Sequence, residues 1–257
     1  MERATKAVTL AAGRGTRMKG LTEDCPKPML PLGDRPMLAH QIELMEAAGI
    51  REVLVVVGYK SHMVTDYFAA NPPVQAKISY VAQEKQDGTG SAAMLARKFA
   101  AGDPFLMTYG DILVDAEIYT ELFERATGSE MVISVKWVGD PYQGGAVYTE
   151  GDRVTKIIEK PPKGTSTTNW NNAGIYVFRN SVFEALDDVE LSPRGEYELT
   201  DAVHAVVNSG SPVGWYQIQG FWRDVGHPED LSHAEAFVKR QWYSAGKSPA
   251  EIVKPRQ

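Results

Sequence analysis

Four short apolar runs, Ala7 to Leu10, Val53 to Val57, Ile78 to Val81 and Phe105 to Tyr109, constrain this chain most, because stretches of helical character separate them. Val53-Leu54-Val55-Val56-Val57 shows no polar alternation, the mark of a strand buried on both faces of a parallel sheet. Between the runs, the spacing predicts a helix that Pro36 opens and Gly49 ends, and another over roughly Ser61 to Ala69. Strand and helix alternating over short links predict a doubly wound, mostly parallel α/β fold. In such folds ligands gather beyond the carboxyl ends of the strands.

Beyond residue 130 the runs shorten. Met131–Val135, Ala146–Tyr148, Val154–Glu159 and Ile175–Phe178 are separated by Gly, Pro and Asn turns. They predict a smaller, more antiparallel portion over 131–228, after a first half over 1–130, within one domain spanning 1–257. From Pro228 to about Tyr243 the pattern predicts an amphipathic terminal helix, and the tail after Gly246 is expected to be mobile. A chain of 257 residues with 43% hydrophobic residues carries enough apolar material for one such core. Its net charge of −6 speaks against the broad basic face of a nucleic-acid binder. No run approaches the roughly 18 apolar residues of a membrane span, and the polar start MERATK is no signal peptide, so a cytoplasmic location is expected. One cysteine, Cys25, excludes an intramolecular disulfide and a cysteine-based metal cluster. The five histidines lack metalloprotease spacing and read as packed or surface residues.

The first apolar run opens into LAAGRGTRMKGLTEDCPKPMLPL, Leu10 to Leu32. Glycines at 13 and 15 let backbone N–H groups approach a phosphate chain, since no side chain intervenes. Between residues 14 and 27 four cations (Arg14, Arg17, Lys19, Lys27) face two anions, a basic spot on an acidic chain. Three prolines bracket Lys27 and stiffen its loop. The P-loop spacing is absent, and a third glycine needed for the dinucleotide fingerprint is replaced by Met18. Taken alone, Gly13–Gly15 is also what an ordinary turn after a buried strand looks like.

The pair LAAG-x-GTRM and PKPMLPL closely resembles the signature of the sugar-1-phosphate nucleotidyltransferases, the sugar-nucleotide pyrophosphorylases. The resemblance implies a Rossmann-like fold of the GT-A type with a smaller antiparallel sugar-binding portion. It implies a nucleoside triphosphate wrapped by Leu10, Ala11, Ala12, Gly13, Gly15 and Thr16, with Arg17 on the distal phosphates and Lys27 on the α-phosphate. Gln83 with Gly88-Thr89-Gly90-Ser91 resembles the base-reading segment of the uridylyl members, which assigns Gln83, Gly88 and Thr89 to a pyrimidine edge. Gly110-Asp111 and the Trp222-x-Asp224-x-Gly226 segment resemble the stretches whose aspartates bind Mg²⁺. Gly110 joins the nucleotide set, and Asp111 and Asp224 the catalytic set with Arg17 and Lys27. Asp115, four residues beyond Asp111, reads instead as the cap of the next helix.

In the second half, Gly145, Glu159, Lys160 and Asn172 resemble the family's sugar-phosphate contacts, although an exposed ion pair and a turn asparagine have the same spelling. Glu196, in the Arg194–Asp201 stretch, is a further candidate beside the sugar pocket. The implied reaction joins a nucleoside triphosphate, UTP or dTTP, to a sugar 1-phosphate, giving an NDP-sugar and pyrophosphate. The alternatives are nucleotidyl transfer to phosphocholine or a polyol phosphate, and an inactive relative that senses sugar nucleotides. No hexapeptide-repeat segment follows, so no second activity is expected. Relatives commonly form homo-oligomers, and no nucleic-acid or membrane partner is implied.

Overall fold

The computed structural model describes residues 5–244, with side chains through residue 241; the expected tail lies outside them. Strand β1 (Lys6–Leu10) leads through two 3-10 turns, Thr16–Thr22 and Lys27–Met29, to the short pair β2 (Pro31–Leu32) and β3 (Arg35–Pro36). Helix α1 (Met37–Ala47), strand β4 (Glu52–Val57), helix α2 (Ser61–Ala70) and strand β5 (Lys77–Ala82) follow the predicted alternation closely. Next come α3 (Thr89–Met94), α4 (Arg97–Ala100), β6 (Phe105–Tyr109), β7 (Ile112–Val114) and α5 (Ala116–Arg125). The later part holds β8 (Met131–Trp137), β9 (Gly145–Glu150), β10 (Arg153–Glu159), β11 (Trp170–Phe178), α6 (Ser181–Asp187) and α7 (Leu199–Asn208). It ends with β12 (Val213–Gln217), β13 (Trp222–Asp224) and α8 (Asp230–Ser244).

Among the described residues nine strands form one sheet in the order β5-β4-β1-β6-β11-β8-β12-β10-β9. The first four run parallel, and β6 meets β11 antiparallel, so the sheet continues across the change of pattern near residue 130. The later part is antiparallel as expected, except that β12 runs parallel to β8. Strand β11 is longer than the predicted Ile175–Phe178 and takes in Asn172, where its register against β8 slips.

Both faces of the central strands β4, β1 and β6 are covered, which is why these strands are apolar without alternation. Val8, Leu54 and Val56 face α3, α4, α6 and α7 across one buried cluster, while Ala7, Val53 and Val55 face α1, α2 and α5 across the other. Phe105 stacks on Phe183 with ring centroids 5.5 Å apart, tying the central strand to α6. Burial of each such ring contributes roughly 1.5–3 kcal/mol. A third cluster joins Met18, Leu30 and Leu32 of the first loop to Leu113, Val225 and the α8 residues Ala234, Phe237 and Val238. Helix α8 thus clamps the three segments that carry the predicted catalytic groups.

Candidate active site

Strand β1 lies between β4 and β6; the chain runs from β1 out to β4 and β5 on one side and crosses back to β6 on the other, so the carboxyl end of β1 is a topological switch point. There the loop after β1 and the Gly110-Asp111 turn after β6 stand side by side, joined by Gly110 N–H donating to Leu10 O at 2.9 Å. They open on a cleft of about 420 Å³. Residues 10–13, Gly15, Arg17 and Lys27 line it from the first loop. Gln83, Gly88 and Thr89 line it from the β5–α3 connection, Gly110 and Asp111 from the end of β6, and Lys160 from the end of β10.

Lys27 sits at the floor of this cleft, only 6% exposed. Gly15 makes room for it: its backbone is left-handed (φ +74°), and an added Cβ would lie 2.6 Å from Lys27 Cβ. Lys27 Nζ donates to Asp111 Oδ2 and lies 3.8 Å from Asp224 Oδ1. Asp224 reaches this point because β13 pairs with β7, and Val225 N–H donates to Asp111 O at 2.9 Å. Its Oδ1 is buried and has no hydrogen-bond partner among the described residues. Burial, and then the negative charge of Asp111, push the Asp224 carboxyl up to about 6, against the pull of Lys27 and Arg17. Two carboxylates therefore face each other across one lysine, an arrangement short of positive charge.

The segment expected to read the base is built differently. Gly88 has φ +131°, and a Cβ there would collide with Tyr197 O. Its neighbours explain this closeness: Gly90 N–H donates to Tyr197 O at 2.7 Å, and Tyr197 N–H to Asp87 O at 2.8 Å. Thr89 Oγ1 accepts from Leu199 N–H at 3.1 Å, so the hydroxyl is used inside the protein as well as lining the cleft.

The second-half candidates divide. Lys160 lines the cleft from a left-handed backbone (φ +41°), a conformation that a side chain rarely adopts. Gly145, Glu159 and Asn172 do not line the cleft, nor does Thr16, which is exposed. Glu159 lies 3.9 Å from Lys160 Nζ and 3.8 Å from Arg194, and burial raises its carboxyl while both cations lower it. Asn172 is a strand residue, not a turn: Nδ2 donates to Tyr176 Oη at 2.6 Å, and Oδ1 accepts from Gly174 N–H at 3.1 Å.

One expectation is corrected. Asp115 stands at the cap position of α5 but makes no capping bond. Its Oδ2 accepts from Phe221 N–H at 2.8 Å and its Oδ1 from Gln241 Nε2 at 3.0 Å, bonds that pull the β13 segment and α8 together. Pro28, Gln86, Ala92, Tyr109 and Gly226 also line the cleft, as does Glu196. Tyr109 could have been found as the residue just before Gly110 on the central strand. Gln86 carries no such signal; its Nε2 donates to Ala12 O at 2.9 Å.

The nucleotidyl transferase family model matches residues 6–241. The bifunctional protein GlmU of Methanococcus maripaludis is 38% identical over 229 residues, covering 89% of this chain and 53% of that protein. The chain spans about half the length of several curated relatives it matches. The UTP–glucose-1-phosphate uridylyltransferase AglF of Haloferax volcanii is 32% identical over 240 residues, 92% of this chain and 97% of that one. A UDP-glucose pyrophosphorylase crystallised with UDP-glucose superposes with a TM-score of 0.81 at 23% identity, covering 92% of this chain and 98% of that chain, a likeness of fold. Among the described residues no helix is long and apolar enough to cross a membrane.

Proposed function

The chain belongs to the nucleotidyl transferase family, and we propose that it transfers a nucleotidyl group from UTP or dTTP to a sugar 1-phosphate, releasing pyrophosphate. The observation that carries this reading is Lys27, buried at the floor of the cleft between Asp111 and Asp224 and beside the glycine loop. The attacking group is already an anionic phosphate oxygen, so no general base is needed. Its bond to the α-phosphorus forms as the bond from that phosphorus to the β-phosphate oxygen breaks, and pyrophosphate leaves with the electron pair. The obstacle is repulsion between phosphates, which makes positioning and neutralisation the whole task.

Lys27 stabilises charge on the α-phosphoryl group, Arg17 holds the departing pyrophosphate, and the loop at residues 10–16 fixes the chain between them. Gln83, Gly88 and Thr89 hold the pyrimidine, and Lys160 meets the phosphate of the acceptor. Asp111 and Asp224 are suited to Mg²⁺. The buried Asp224 Oδ1 lacks a partner, and no group of three His, Cys, Asp or Glu converges among the described residues. Mg²⁺ takes one or two carboxylates and completes its shell with water and substrate phosphates, so two aspartates suffice. When bound there, the ion supplies charge neutralisation between the two phosphate groups.

Glu159 and Asn172 lie off the cleft lining, which keeps phosphocholine and polyol phosphates in the test as acceptors. The test is pyrophosphate release with Mg²⁺ across UTP, dTTP, CTP, GTP and ATP. Each is paired with glucose, N-acetylglucosamine, mannose and galactose 1-phosphates and then with phosphocholine and glycerol phosphate. One preferred pyrimidine nucleotide and one sugar 1-phosphate are expected. Turnover with a non-sugar acceptor alone would move the enzyme to the second substrate class. A bound triphosphate with no turnover would leave a sensor.

A further inference from the structure

Gln83 ends β5 with its side chain in the wall of the cleft, and the residue is only 9% exposed. Its Nε2 donates to Gly88 O at 3.0 Å and to Ser91 Oγ at 2.9 Å. A backbone carbonyl can only accept, so the amide atom that meets Gly88 O has to be the nitrogen. Serine could take either role, but its one proton is spoken for. Ser91 Oγ donates to Asp87 Oδ1 at 2.6 Å, its shortest contact and a charge-assisted one. That leaves the Ser91 oxygen as a second acceptor toward Gln83. Ser91 also holds the Asp87 carboxyl below its ordinary range. Asp87 is fixed in turn by its own backbone, whose carbonyl accepts from Tyr197 N–H.

With both amide hydrogens directed inward, Gln83 Oε1 is the atom left for the cleft, and it takes no hydrogen bond from any described residue. A lone acceptor there complements a pyrimidine whose ring nitrogen 3 carries hydrogen, as in uracil and thymine. It opposes cytosine, whose nitrogen 3 is itself an acceptor. We propose that Asp87 and Ser91 are positioning residues for base selection: they hold the Gln83 amide in the one orientation that admits uracil or thymine and turns cytosine away. This rests on the reading of the cleft as a nucleotide site.

Equilibrium binding of UTP, CTP and N3-methyluridine triphosphate, followed by calorimetry, tests it, with pyrophosphate release measured in parallel. The wild type is expected to bind UTP at least about tenfold more tightly than either of the others. In Ser91→Ala and Asp87→Ala that preference should shrink by roughly 3- to 10-fold, with KM for UTP rising and kcat at saturation little changed. Ser91→Thr, which keeps the hydroxyl, should restore the preference. Equal binding of UTP and CTP by the wild type would overturn the proposal, as would an unchanged preference in both alanine variants. Discrimination in binding without turnover on any acceptor would sink the transferase reading and leave this one standing. Pyrophosphate release with equal use of UTP and CTP would do the reverse, and failure to bind any nucleotide would end both.

Discussion

The two ends of the cleft are built on opposite electrostatic plans. At the end proposed to hold the phosphates, Asp111 and Asp224 share one buried lysine, one carboxylate oxygen has no hydrogen-bond partner among the described residues, and Asp224 is pushed toward its neutral form. At the end proposed to hold the base, Gln83 Nε2, Ser91, Asp87 and the backbone of Gly88 and Tyr197 are bonded to one another, and Gln83 Oε1 is left open to the cleft. The difference separates chemistry from recognition. On the function proposed above, the reacting end is left short of charge that the substrates and their cation would bring, whereas the reading end is set in advance, which lowers the cost of ordering it on binding.

The sharpest way to break this contrast is Lys27→Ala. Loss of the charge that the proposal sets against the α-phosphate is expected to lower kcat by on the order of 10²–10³-fold, with UTP still discriminated from CTP. Near-normal turnover in steady-state assays would show that the phosphate end does not work as described. At the other end, Gly88→Ala forces a side chain into a left-handed backbone and against Tyr197 O. Strain of about 1–3 kcal/mol should weaken UTP binding by roughly 10- to 100-fold while kcat at saturation changes less. A variant that bound UTP as the wild type does would mean that the base end is not prebuilt.

The smallest effect concerns stability. A carboxyl whose proton affinity rises on folding stabilises the fold below its unfolded value, 3.8 for Asp224, and that contribution is lost as pH climbs through about 6. Asp224→Asn removes the ionisation, so its stability relative to the wild type should grow between pH 4 and 6 and level off above. Discounted for a side chain 43% exposed, the gain is about 1 kcal/mol in denaturant unfolding without Mg²⁺, in a variant that has lost turnover. Equal stability of the two proteins at pH 7 would remove Asp224 from the strained pair.

Much of this was legible in the chain because the parallel half spells its geometry locally. Uninterrupted β-branched runs mark strands covered on both faces, and the loops after β1, β5 and β6 must then meet at one edge, which brought Lys27, Gln83 and Asp111 together in advance. Asp115 shows where local reading fails. A carboxylate before a helix has the spelling of a cap, but its partners, Phe221 and Gln241, lie more than a hundred residues away. For Asn172 the structure removes only the alternative of a turn asparagine: the chain passes through it as a strand whose register slips. The serine that orients Gln83 was written in the Gly-Thr-Gly-Ser segment, but its role needed the position of Asp87.

The antiparallel seam between β6 and β11 has a mechanical consequence. Tyr176 and Val177 pair with Met107 and Leu106 deep in the sheet, and Leu106 and Met107 also pair with Ala7 and Val8 on the other side. Tilting β11 against β6 would break this ladder along its length. On heating, the two halves should melt in a single cooperative transition, with the amides of β6 and β11 among the last to exchange with solvent.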